Sequence, residues 1–307
     1  MMQLPDSFIK TISTAYPNGR DWLEQLPSLI QTAAESWHLT EINPVPTLSY
    51  NFVAFARQHP QPGQGLAGGE VVLKIGPPNR ELLSELKTLR LFNGEGACRL
   101  LDADESSYSF VLERLRPGQM LVELTDDEAA TEIAADVMQR IWRNPLAGQG
   151  FIKLSEWFDE LNGLRPRYQG GTGPFPKWLV ERVETNLPAL LADPNPPVLM
   201  HGDFHHFNVL SSERGWLVID PKGVIGPRGY ECGPLLINPW ADFLKRDAAP
   251  ITRRRISILS ERLGLARDVI CEWGICHCLL SSWWDLQPDD TGGEYALACA
   301  DVFASVS

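Results

Sequence analysis

The chain has 307 residues, 44% hydrophobic and 21% charged, which suits a globular protein with a sizeable core and two lobes. Its 39 acidic against 27 basic residues give a formal net charge of −12, arguing against a nucleic-acid partner and suiting a cationic small molecule. No apolar run approaches the roughly 20 residues of a spanning helix, Met1-Met2-Gln3-Leu4-Pro5-Asp6 lacks a signal-peptide pattern, and six scattered cysteines read as reduced thiols; a cytoplasmic protein without a membrane partner is expected.

In chain order, residues 5–40 predict helix, because Trp22, Leu23, Leu26, Leu29, Ile30 and Ala33 recur at three- and four-residue spacing. The stretch 44–56 carries strand-favouring residues, among them Val45, Tyr50, Phe52, Val53 and Phe55. The Gly/Pro/Gln-rich segment 60–69 predicts an exposed hairpin loop. Val71-Val72-Leu73-Lys74-Ile75 predicts a short strand, and Asn79 can cap a helix running to about Asn93. Two strands are expected around 99–102 and 108–115. Beyond Pro117-Gly118 helices dominate, at 126–143, 153–163, 175–192, 252–263 and 267–287, with strands near 208–210 and 216–220 between them. The expected fold class is α+β, with a β-rich N-lobe over 1–117 and a mostly α-helical C-lobe over 118–307.

The chemistry is concentrated in His201-Gly202-Asp203-Phe204-His205-His206-Phe207-Asn208, followed by Trp216-Leu217-Val218-Ile219-Asp220-Pro221. One carboxylate to orient an attacking hydroxyl, with an amide and a second carboxylate to hold Mg²⁺ on nucleotide phosphates, is the parts list of phosphoryl transfer. Asp203 alone reads equally well as a turn cap. Asn208 and Asp220 change that balance, since a hairpin through 211–215 brings both hard oxygen ligands to the same end of two strands.

Lys74 ends a β-branched run, where a half-buried ammonium needs a partner. In a kinase it would contact the nucleotide phosphates and pair with a helix carboxylate. Glu85 lies at the edge of the apolar stripe Leu82, Leu83, Leu86 and Leu89, so it is the expected partner, with Glu81 in reserve. Leu112-Glu113-Arg114-Leu115 lies where a lobe hinge would run, so Glu113 and Leu115 are candidates to meet an adenine edge through their backbones. No glycine-rich nucleotide motif is present, leaving Asn51 in Ser49-Tyr50-Asn51 as the candidate for approaching phosphates.

These residues resemble the aminoglycoside phosphotransferase superfamily, which shares the bilobal protein-kinase-like fold. The match to its H-G-D-x-H-x-x-N motif runs through His201, Gly202, Asp203, His205 and Asn208. Within the superfamily the chain looks most like the aminoglycoside/hydroxyurea resistance kinases, through the segments beginning at Gly19, Gly94, Leu112 and Ile219. The resemblance implies ATP- and Mg²⁺-dependent phosphorylation of a hydroxyl on a small molecule, an aminoglycoside or amino sugar. It makes Asp203 the catalytic base, Asn208 and Asp220 the metal ligands and Lys74 the phosphate contact. His205 stands where protein kinases often place a lysine. The run Gly226-Pro227-Arg228-Gly229-Tyr230-Glu231 departs from the family pattern: Glu231 keeps an acidic place, while Arg228 adds positive charge on the expected acceptor side.

Acceptor specificity is expected from the C-lobe, with Glu231, Asp242, Asp285, Asp289 and Asp290 as carboxylates and Trp240, Trp283 and Trp284 as apolar walls. Cys276 and Cys278 fall in a helical stretch and point about 200° apart, so a zinc site there is not expected. Two other readings keep the motif: a housekeeping metabolite or sugar kinase, and a non-catalytic nucleotide-binding module. A protein kinase is disfavoured because no A-P-E segment follows Asp220.

Overall fold

A proline splits the first expected helix. In the computed structural model, which describes residues 4–60, 68–145, 148, 150–239, 244 and 247–307, α1 spans Asp6–Ala15 and α2 spans Gly19–Trp37. Tyr16 is extended (φ −122°, ψ 131°), as the residue before Pro17 prefers, and the helix stops there. The expected loop over 60–69 falls largely on 61–67, outside the described residues.

The chain divides into two units, Met1–Arg116 and Pro117–Ser307. The first holds a five-stranded antiparallel sheet of β1 (Leu39–Pro44), β2 (Phe52–Gln58), β3 (Gly69–Ile75), β4 (Leu100–Asp104) and β5 (Ser109–Glu113), in the order β1-β2-β3-β5-β4. The expected strand over 44–56 thus resolves into the end of β1, a connection and most of β2. β2 alternates as half-buried strands do, turning Phe52, Ala54 and Ala56 into a core shared with Phe8, Ile12, Trp22, Leu26 and Trp37 of the two helices. Burying each such large side chain contributes about 1.5–3 kcal/mol. The helix α3 (Arg80–Phe92) follows β3. Asn79 starts it by accepting a hydrogen bond from Leu82 N at 2.8 Å, and Asn93 ends it in the left-handed conformation (φ 47°).

The second unit contains two small sheets, one of β6 (Pro117–Met120), β9 (Val209–Ser212) and β10 (Gly215–Val218), the other of β7 (Ile152–Lys153), β8 (Val198–Met200) and β11 (Val224–Gly226). Among the described residues its helices are α4 (Asp127–Ile141), α5 (Leu154–Asp159), α6 (Leu164–Arg167), α7 (Lys177–Leu191), α8 (Cys232–Leu236), α9 (Ala248–Leu263), α10 (Arg267–Asp285) and α11 (Glu294–Val306). α10 buries eleven residues, from Ile270 to Ser282, and forms the apolar centre of this unit. The thiols are ordinary core residues: all six cysteines are buried and none is in a disulfide, and no three metal-binding side chains cluster among the described residues.

Two segments cross between the small sheets, and these carry the motif. Residues 201–208 join β8 to β9, and residues 219–223 join β10 to β11.

Candidate active site

β9 and β10 pair in the register Val209↔Val218, and Ile219 N extends the ladder by donating to Asn208 O at 2.9 Å. Asn208 and Asp220 therefore leave the same end of the hairpin. Asp220 takes a left-handed backbone (φ 57°), a costly state for a non-glycine residue that commonly persists where function requires it. Asn208 Nδ2 donates to Asp203 O at 3.1 Å, which leaves Oδ1 as the atom it can offer a cation. An amide oxygen beside a carboxylate is a hard donor set that fits Mg²⁺, an ion that keeps waters and takes phosphate oxygens for its remaining positions.

His201 ties the two crossings together. Asp203 N donates to its Nδ1 at 3.2 Å, so Nε2 carries the proton and donates to Ile219 O at 2.9 Å. Lys222 N and Gly223 N both donate to His201 O. Burial pushes the imidazole down to about 4, so it stays neutral at ordinary pH. Gly202 (φ +86°) allows the tight approach, since a Cβ there would lie 2.7 Å from Val224 and 3.1 Å from Trp157.

Asp203 remains 38% exposed, with Oδ1 3.6 Å from His205 Nε2. Burial works against its charge, but His205, Lys222 and His201 together hold its carboxyl below the usual range. Lys222 Nζ lies 3.3 Å from Asp220 Oδ2. Lys222, two residues after the metal-type aspartate, is a charged group of this site that the motif reading left without a role. Its spacing from Asp220 was the available signal.

Glu231, expected on the acceptor side, has a different position. It is 0% exposed at the end of a 3-10 turn (Arg228–Glu231), and its two oxygens accept from His201 N at 2.8 Å and Gly202 N at 2.9 Å. An acceptor cannot reach it; the carboxylate instead supports the segment that carries Asp203. Burial pushes its carboxyl up to about 7 despite the two N–H donors. Arg228 packs against Trp142 at the end of α4, with its guanidinium carbon 5.8 Å from the ring, in place of the expected acceptor position.

Among the other acceptor candidates, Asp242 and Trp240 lie outside the described residues. Asp290 is taken by Arg167 and Tyr168, both at 2.7 Å, and Asp289 caps Thr291. Trp284 and Asp285 are exposed at the end of α10.

In the first unit Lys74 Nζ donates to both oxygens of Glu85 at 2.7 and 2.6 Å, and both side chains are about 5% exposed or less. Asn51 lies in the β1–β2 connection, with Oδ1 buried and 2.2 Å from where a Cβ on Gly76 would stand, so only glycine fits there. Glu113 has its N–H and its carboxylate engaged within the sheet. Its N–H donates to Arg99 O at 2.9 Å and its carboxylate accepts from Arg99 N at 3.0 Å, next to the β4–β5 pairing. Leu115 is buried just beyond β5, and its backbone makes no hydrogen bond among the described residues.

These features define a small-molecule kinase with a protein-kinase-like fold. The model of the aminoglycoside/hydroxyurea antibiotic resistance kinases matches residues 38–289, and the chain belongs to that family. It is 29% identical to a streptomycin 6-kinase of Streptomyces glaucescens over 94% of this chain and 92% of that one. It is 30% identical to a streptomycin 6-kinase of Streptomyces griseus over 93% and 92%. Among solved structures, a choline kinase from Streptococcus pneumoniae matches with a TM-score of 0.63 and 14% identity, over 92% of this chain and 98% of that one.

Proposed function

We propose that the chain transfers the γ-phosphoryl group of ATP to a hydroxyl of a small cationic acceptor of the aminoglycoside class. The observation that carries this reading is the linkage of Asp203, Asn208 and Asp220 through the Asn208–Asp203 and Ile219–Asn208 hydrogen bonds. Asp203, whose carboxyl is held below the usual range, would accept the hydroxyl's hydrogen bond and align its oxygen. Asn208 and Asp220 would hold Mg²⁺, which supplies neutralisation of phosphate charge. Lys74, fixed by Glu85, would be the phosphate contact of the N-terminal unit, and the Leu115 backbone the adenine contact; Asn51 would approach the phosphates. Family membership and the streptomycin 6-kinase relatives support an aminoglycoside acceptor. Six reduced, buried thiols support work in the cytoplasm.

The test is ATP consumption across aminoglycosides, amino sugars, simple sugars and hydroxyurea. Turnover is expected with an aminoglycoside, and Asp203→Ala should lower kcat by about 10²–10⁴ while nucleotide still binds. Turnover confined to simple sugars would instead favour a metabolite kinase. A near-normal rate in Asp203→Ala would sink the base assignment.

A further inference from the structure

The end of α10 packs one tryptophan against the protein and leaves the next exposed. Trp283 lies 6.1 Å from Phe175, with the Arg167 guanidinium 5.9 Å from its ring. Trp284 stays 42% exposed, and its indole N–H donates to Glu160 Oε2 at 2.9 Å. Its ring stands at 88° to that of Trp157, with centroids 5.3 Å apart. Trp157 is 7% exposed and abuts Gly202, the residue before Asp203. One indole therefore separates the exposed corner from the segment bearing the catalytic carboxylate.

Charge pairing leaves this corner negative. Several acids of this unit are matched within the chain, Asp290 with Arg167, Glu184 with Arg165 and Glu272 with Arg182, whereas Asp159, Asp289 and Glu294 have only neutral hydrogen-bond partners among the described residues. Glu160 and Asp285 are exposed yet have no cationic partner among the described residues. Partial burial and the Glu294 charge push the Asp285 carboxyl above its usual range, as expected where negative potential goes unrelieved. Two perpendicular indoles beside a carboxylate make a receptor for an organic cation, offering a ring face for cation–π attraction and an oxygen for a charge-assisted hydrogen bond.

We infer that Trp284 and Glu160 anchor an ammonium or guanidinium group of the acceptor whose hydroxyl Asp203 orients; this rests on the phosphotransferase reading above. Asp285 adds long-range attraction, and Trp157 sets the distance between the anchored cation and the reacting hydroxyl. The chain's net charge of −12 acts in the same sense, steering a cation toward the surface.

Streptomycin serves as the probe, titrated calorimetrically and used in steady-state kinetics. Glu160→Gln keeps an oxygen for the Trp284 indole but removes the charge, Trp284→Ala removes the ring, and Trp284→Phe keeps a ring face. Glu160→Gln and Trp284→Ala should each weaken streptomycin binding and raise its KM about tenfold, the scale of one such contact, with a smaller fall in kcat. Trp284→Phe should recover part of the affinity lost in Trp284→Ala. If Glu160 merely positioned the indole, Glu160→Gln would bind like the wild type. Wild-type affinity in either Glu160→Gln or Trp284→Ala, or no streptomycin binding by the wild type, would overturn the inference. Binding that these variants weaken, without phosphate transfer to any acceptor, would remove the phosphotransferase reading and leave the anchor standing.

Discussion

Removing the Glu231 carboxylate tests whether it holds the segment that bears Asp203. Glu231→Ala leaves His201 N and Gly202 N, now bonded at 2.8 and 2.9 Å, without acceptors in a fully buried place. An orphaned buried donor costs about 1–3 kcal/mol, so the pair should cost about 4 kcal/mol, before any cavity is counted. For a unit of this size each kcal/mol moves Tm by about 2–4 °C, giving a fall of about 10 °C in thermal unfolding followed by near-ultraviolet circular dichroism. Glu231→Gln should lie between, because its amide can accept from one N–H while its own NH₂ opposes the other. Displacement of the Asp203 segment should also lower kcat more than it raises the KM for either substrate. Melting within about 2 °C of the wild type, with kcat within about twofold, would refute the supporting role.

Glu85→Ala should destabilise the N-terminal unit by about 3–5 kcal/mol, because it strands the buried Lys74 ammonium. The double replacement Lys74→Met with Glu85→Leu should recover most of that loss in a denaturant titration yet remain without turnover; restored activity would contradict the phosphate role of Lys74. Gly202→Ala must place a Cβ 2.7 Å from Val224 at φ +86°, so it should cost about 2–4 kcal/mol and lower kcat, as melting and rate measurements would show. Stability should also rise with pH. The imidazoles of His201, His277 and His206 have folded-state values of about 4, 4 and 3 against 6.5, so between these limits the unfolded chain binds more protons. Glu231, raised from 4.5 to about 7, runs the opposite way over 4.5–7 and offsets roughly one imidazole. The net gain from pH 4.5 to 6.5 should be about 4 kcal/mol; a Tm that falls over that interval would show that these imidazoles are not buried as neutral groups.

Much of the site was legible in the chain because its parts are local. Asp203 and Asn208 are five residues apart on one crossing, and a short hairpin suffices to bring Asp220 beside them. Given a kinase-type lysine that pairs with a helix carboxylate, helical periodicity preferred Glu85 to Glu81, since it lies at the edge of the apolar stripe, and Lys74 pairs with Glu85. Asn79 announced the start of α3 through its side-chain cap. The strands β6, β7, β8 and β11 were not legible. Each is two to four residues long and exists through partners distant in sequence, so periodicity has too few residues to register. The helix α11 was not anticipated either, although it spans Glu294–Val306 and buries Ala296, Cys299, Ala300 and Phe303.

Carboxylates divided most sharply. Sequence could mark Glu231 and Asp290 as acidic near the motif or near the tryptophans, but acidity alone does not say what an oxygen faces. Tertiary structure gave Glu231 two buried backbone N–H groups and Asp290 an arginine and a tyrosine, which removed both from the acceptor side. It also joined Glu160 to Trp284 across 124 residues. By itself the sequence determined the reaction class, because phosphoryl transfer needs particular groups at short spacing, here on two crossings joined by one hairpin. Only the tertiary structure decided which remaining charges are spent inside the protein and which are left for a ligand, because that depends on burial and on partners brought together from distant parts of the chain.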